Sequence, residues 1–340
     1  MKAGGLYFNQ RGGSNNFLCA FGRLATNKII KGQIINIDDK CLRGSDDKRT
    51  ATTAVYMVSA WAAKNEIVLG QRKVGEKSNE ITAIPELLKL LALSGCIVTI
   101  DAMGTQTNIA KTIIAADADY ILSVKENQGR LYEDIETLFA VNRAQNFQYA
   151  SLDYAKTVNK GHGRIETREC WTTSNPEYLN LIRGAQNWAR LQSIAMVIGA
   201  RRIGEEETTE TRFYVSIDIK INIWNLNQPK RLVLRIFSVE DFQNHYLNLY
   251  SLPSNAQKIL DAVRKHWSIK NKLHWVLDVA MNEDRCRVRK DQALENFAVL
   301  RHIALNLLKR KKTAKGGLQA KQLQAAWDED YLMKVIATGI

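Results

Sequence analysis

Residues 96–100, Cys-Ile-Val-Thr-Ile, form a short run that is apolar almost throughout, closed by Gly95 on one side and Asp101 on the other. A strand with no polar alternation has no face to offer to water, so it predicts a position inside a sheet that is covered on both sides. The segments around it supply the cover. A stretch opening near Ser78 and Glu80 carries Ile84, Leu87, Leu88 and Leu91 at helical spacing and is stopped by Gly95. Another helix is read through Ile109, Ile113 and Ile114, then a strand at 120–124, then an amphipathic helix through Leu131, Ile135 and Leu138.

Upstream, Ile34, Ile35 and Ile37 make a short strand expected to end at Asp38 and Asp39, and residues 54–60 and 67–74 read as two more. Their close spacing predicts an antiparallel meander. Residues 33–140 therefore run β-β-β-α-β-α-β-α, which is the ribonuclease-H-like order: an α/β fold with a mixed sheet flanked by helices. Beyond it lies an added β-rich segment, with strands near 163–169, 193–199 and 211–217. A helical C-terminal region follows, with one helix from Ala256 to Asn282 and another from Leu294 to Leu308. The expected division is a poorly patterned leader over 1–32, a main domain over 33–310 and a basic tail with a C-terminal helix over 311–340.

The chain of 340 residues is 45% hydrophobic, enough for a sizeable core, and carries a net charge of +13. Between Lys258 and Lys312 stand 14 Lys and Arg against 6 Asp and Glu, a local excess that points to a polyanionic partner, nucleic acid first. The five cysteines lie far apart with no C-x-x-C pair, which argues against a zinc site and for a reduced, cytoplasmic protein. No apolar run is long enough to span a membrane.

Two carboxylates hold equivalent places in this pattern, Asp38 after the first strand and Asp101 after the buried one. Functional groups gather at the carboxyl ends of strands in such sheets. Carboxylates there can hold two Mg²⁺ ions, one activating an attacking oxygen and the other stabilising the leaving one. An aspartate at a strand end also serves as a turn former or helix cap, and both readings stand. A third carboxylate is sought on the helix from Ala256, where His266, Lys270, His274 and Asp278 form one stripe at i+4 spacing beside an apolar one. Trp267 and Trp275 on that helix are expected to pack into the core, and Cys41 and Cys96 to be inert fillers.

Residues 37–45 (IDDKCLRGS), 69–85 (LGQRKVGEKSNEITAIP), 95–104 (GCIVTIDAMG), 161–168 (GHGRIETR) and 266–278 (HWSIKNKLHWVLD) together resemble the H-repeat-associated insertion-sequence transposases, a DDE-class family. The resemblance covers about 33–310. It implies the ribonuclease-H-like fold, Mg²⁺ as cofactor, and double-stranded DNA, as element ends and target, as partner of a homo-oligomer. It places the first two catalytic and metal-binding aspartates on Asp38 and Asp101. In the family the helix motif reads WSIEN, so the expected third carboxylate position is occupied by Lys270. Beside a divalent ion at about 4 Å an ammonium costs on the order of 8 kcal/mol at an effective dielectric near 20. A second metal site is therefore doubtful, with Asp278 and Glu283 as substitute ligands.

Other departures point the same way. The family carries an N-terminal associated domain before the first strand, Asp39 stands in place of a glycine, and an insert near 218–248 interrupts the order of motifs. Arg43, Lys125, Asn127, Arg164, Arg168, Arg264 and His266 are the candidate DNA contacts, with Arg164 and Arg168 on one sheet face. The expected function is insertion-sequence transposition by Mg²⁺-dependent strand cleavage and transfer, in a truncated, impaired form. A non-catalytic DNA-binding remnant is the alternative, and a general Mg²⁺ nuclease a third reading.

Overall fold

The computed structural model describes residues 32–46, 53–75, 79–147, 151–161, 163–217, 256–288, 292–311 and 316–338. They belong to two compact units, one comprising Met1–Ser123 with Ala262–Ile340 and the other Val124–Asp261. Apart from Gly32 the leader lies outside the described residues, as does the insert near 218–248.

In the first unit β1 (Ile34–Leu42), β2 (Val55–Ala62) and β3 (Ile67–Lys73) form the expected antiparallel meander. β4 (Ile97–Ile100) and β5 (Asp119–Val124) then add in parallel beside β1, giving the order β3-β2-β1-β4-β5. The crossovers are α1 (Glu80–Leu90), which buries Ala83, Ile84, Leu87 and Leu88, and α2 (Thr107–Ala115), which buries Ile109, Ala110 and Ile113. This is the ribonuclease-H-like arrangement. Val98, Thr99 and Ile100 of β4 are all buried, on both faces of the strand, as their unbroken apolar character requires.

β1 departs from expectation by running past Asp38 to Leu42. Its parallel ladder with β4 stops at Ile37, but β2 continues to pair with it through Leu42, so the polar residues after Ile37 stay in strand conformation.

The second unit holds α3 (Arg130–Ala144) and four antiparallel strands, β6 (Asp153–Gly161), β7 (Arg164–Thr173), β8 (Ser193–Ile203) and β9 (Glu206–Ser216). Phe213 packs against Tyr132 and Phe139 of α3, and Trp171 lies against Phe147 and Tyr154. β6 went unread because its residues alternate only between half-buried and exposed, a weak period-two signal.

The helical region contains α4 (Ala256–His266), which belongs to the first unit from Ala262 onward, and, within that unit, α5 (Trp275–Met281), α6 (Ala293–Arg310), α7 (Leu318–Trp327) and α8 (Glu329–Ala337). Where one continuous helix was expected, a wider π-helical turn over Lys270–His274 separates α4 from α5. Ile269, Leu273 and Leu277 are buried against Trp61, Val68, Val299 and Leu305. Trp267 and Trp275 fall away from that stripe and are 40% and 60% exposed, which corrects their expected place in the core.

Asn306 of α6 closes the outer strand. Its Oδ1 accepts from the Val68 backbone N–H at 2.9 Å, and its Nδ2 donates to the Val68 carbonyl at 2.8 Å. A buried side chain thus occupies the free edge of β3, where an open strand would invite pairing with another chain. Asn306→Leu leaves both backbone groups without partners, and is expected to cost about 2–3 kcal/mol. The check is a lower urea midpoint together with faster hydrogen exchange at the Val68 amide.

Candidate active site

The parallel register sets Ile37 of β1 opposite Ile100 of β4, so Asp38 and Asp101 are the next residue on each strand. Two neighbouring strands thereby deliver two carboxylates to the same end of the sheet. Asp39 joins them. Asp38, Asp39 and Asp101 each present an oxygen, and all three atoms lie within 4.8 Å of one another.

Asp101 also forms the turn that its position allows. Its Oδ1 accepts from the Met103 N–H at 3.2 Å, which makes the turn after β4. Thr105 then ties that turn to the end of β5, its hydroxyl 2.6 Å from the Ser123 carbonyl, to which it donates, and 3.0 Å from the Asp101 carbonyl. Gly104 is required in this turn, since a Cβ there would meet the Ile100 side chain at 2.4 Å.

The broken helix runs beside β1, and alternate strand residues on one face meet successive stretches of it. Asn36 comes first. Its Nδ2 donates to the carbonyls of Lys265 and His266, and the Ser268 hydroxyl also donates to Lys265 at 2.6 Å. These side chains satisfy carbonyls where the helix widens, the usual requirement for an interrupted ladder. Thr99 donates to Asn36 Oδ1 at 3.1 Å and lies 3.0 Å from His266 Nδ1.

Asp38 comes next and is 4% exposed. Lys270 Nζ and His274 Nδ1 each stand 3.6 Å from its Oδ2, and among the described residues that oxygen has no hydrogen-bond donor. Burial lifts the Asp38 carboxyl to about 7, opposed by Lys270 and reinforced by Asp39 and Asp101. Burial drives His274 the other way, to about 3, so its ring is neutral near pH 7 and only Lys270 brings positive charge.

Lys40 is third. Its ammonium lies 2.6 Å from Asp278, 3.1 Å from Glu283 and 3.1 Å from Asp284. Burial pushes the lysine down, but these carboxylates outweigh it and hold it above its ordinary range. Asp278 and Glu283, the substitute ligands considered from sequence, are thus engaged by Lys40.

The remaining candidates fall in several places. Arg43 is 81% exposed, 3.7 Å from Asp284, and Arg264 is exposed on α4. His266 is buried, its Nδ1 held at Thr99, so the structure turns its ring away from solvent. Lys125 and Asn127 are exposed in the second unit. Arg164 and Arg168 also lie there, alternating along β7 with Glu166, which pairs with both at 2.8 and 2.7 Å and offsets part of their charge. Sequence reasoning missed Asp39 as a member of the acidic group and Lys40 as the centre of another. The first signal was present, as an acidic residue directly beside Asp38; no local period links Lys40 to residues more than two hundred positions away.

Residues 30–307 match the transposase DDE domain family. The chain belongs to that family. Over 308 residues this DDE-family protein is 37% identical to YbfL and also to YhhI, named as an H repeat-associated transposase, both of Escherichia coli K12. Each alignment covers 89% of this chain and 71% of the relative. A solved structure, the piggyBac transposase synaptic complex with hairpin DNA, aligns with a TM-score of 0.42 and 9% identity over 90% of this chain and 54% of that one, so the DDE-family chain spans about half of that protein's length. The motif resemblance to H-repeat-associated transposases therefore stands. No helix among the described residues is long and apolar enough to cross a membrane.

Proposed function

We propose that this transposase-family protein binds insertion-sequence DNA ends in the cytoplasm as a homo-oligomer, with strand cleavage impaired at position 270. The observation that carries the reading is the ammonium of Lys270 standing 3.6 Å from Asp38 Oδ2, within the helix motif whose family counterpart has glutamate. The free cysteines among the described residues and the excess of basic residues, 48 against 35 acidic, suit a reduced compartment and a polyanionic partner.

The aspartates suit a hard cation. Their donors are carboxylate oxygens, and Asp38 Oδ2 is buried with no hydrogen-bond donor among the described residues. Asp38 and Asp101 would hold Mg²⁺, which when bound supplies activation of an attacking water or 3′-hydroxyl and charge neutralisation at the leaving oxygen. Lys270 supplies no ligand and repels the ion. The exposed Arg43 and Arg264 offer phosphate contacts, and so, in the other unit, do Lys125, Asn127, Arg164 and Arg168.

The test uses purified protein and a labelled element end. The protein is expected to bind with an affinity that falls steeply as salt rises, because phosphate contacts release counterions. It is expected to nick little with Mg²⁺, while Lys270→Glu gains at least about tenfold in nicking, equivalent to ~1.4 kcal/mol of barrier. Strong nicking by the unaltered chain would refute the impairment, and salt-insensitive binding would refute the phosphate contacts.

A further inference from the structure

Two aspartates leave a hard divalent ion short of ligands, and the helix that would bring a third carboxylate brings Lys270. The strand itself offers a replacement. Neighbouring strand residues ordinarily point to opposite faces. Yet beyond the end of the parallel ladder the Asp39 carboxylate still has an oxygen within 4.8 Å of ligand atoms from both Asp38 and Asp101.

A second observation points to a cation. The Asp38 side chain is 1% exposed and, among the described residues, its Oδ2 has no hydrogen-bond donor, only Lys270 Nζ and His274 Nδ1 at 3.6 Å, although buried carboxylate oxygens are almost always satisfied by close donors or an ion. Lys270 does not close that gap. At 3.6 Å its Nζ lies beyond hydrogen-bond distance, its side chain is 45% exposed, and the ammonium stands 5.2 Å from the Trp267 ring centroid. A long, half-exposed cation beside the acidic group can swing away without disturbing the core, and the exposed Trp267 ring offers it a cation–π contact.

We propose that Asp39, standing where the resembling family has glycine, is the third carboxylate of a single divalent-cation site with Asp38 and Asp101, and that Lys270 is its tethered competitor. The inference rests on the reading of Asp38 and Asp101 as metal carboxylates. It separates cation binding from strand cleavage: the chain binds one ion through strand residues alone, and the helix position adds no second. Removing the lysine charge tightens the site, and removing Asp39 loosens it.

Manganese titration of the full-length chain without DNA, followed by electron paramagnetic resonance of free Mn²⁺, reads occupancy directly. The expected result is one Mn²⁺ per chain, with affinity lowered at least about tenfold by Asp39→Asn and raised at least about tenfold by Lys270→Met. Circular dichroism melts of each variant without metal verify the fold; Asp39→Asn is isosteric and its site is half-exposed. If Asp39→Asn binds Mn²⁺ like the unaltered chain while Asp38→Asn and Asp101→Asn lose it, the Asp39 assignment is wrong and the metal reading stands. If no Mn²⁺ binds, or none of the three aspartates affects it, both are wrong. An affinity unmoved by Lys270→Met overturns the competition.

Discussion

Lys40→Met is expected to lower stability by about 3–5 kcal/mol at pH 7, the range found when one partner of a buried ion pair is deleted. Lys40 is the shared counter-ion of Asp278, Glu283 and Asp284, and Glu283 lies deepest, 3% exposed. Burial already holds the Glu283 carboxyl above its ordinary range in spite of Lys40. Without the ammonium, the carboxylates must either stay charged in a poorly solvated place or take up protons at a pH that opposes it. Methionine fills the volume of the lysine stem, so lost charge rather than lost packing dominates. A urea denaturation midpoint well below that of the parent checks this, and adding Glu283→Gln to the same chain should recover part of the loss. Coincident midpoints for parent and Lys40→Met would mean that the carboxylates are solvated and need no counter-ion.

Asp38→Asn should act in the opposite direction and stabilise the chain above neutral pH when a chelator is present. In the folded state burial raises the Asp38 carboxyl from 3.8 to about 7. Between those two values the folded chain binds the proton and the unfolded chain releases it, so stability falls as pH rises through that window. A displacement of that size corresponds to a cost on the order of 4 kcal/mol once the group is ionised in both states. Asparagine keeps the shape and removes the charge. The gain in urea midpoint should be large at pH 8 and small at pH 4.5; an equal gain at both would show that ionisation is not its source.

How much of this could be read beforehand depended on whether the responsible interactions are local. The buried β4, its closing Asp101 and the helices on either side were legible because apolar periodicity reports burial directly, residue by residue. Asp38 was singled out as the residue expected to end the first strand. The length of β1 was not legible, since Asp38, Asp39 and Lys40 look like a turn and remain in the strand only because β2 pairs with them. The exposure of Trp267 and Trp275 depends on which stripe of the helix the sheet covers, and the wide turn between α4 and α5 rests on Asn36 and Ser268, one of them far away in sequence. The grouping of Asp278, Glu283 and Asp284 around Lys40 comes from tertiary folding alone, so no spacing rule could have found it.

The wide turn has a consequence for how this chain can change over generations. Ile269, Leu273 and Leu277 anchor the helix from one side and Asn36 holds its carbonyls from the other, while the side chain at 270 projects half into solvent and supports neither. Packing therefore exerts little selection on that position. Glutamate and lysine codons differ at their first base alone, so one transition exchanges an anion for a cation opposite Asp38 and leaves the scaffold intact. A lineage could cross between these two residues in either direction without passing through a misfolded intermediate.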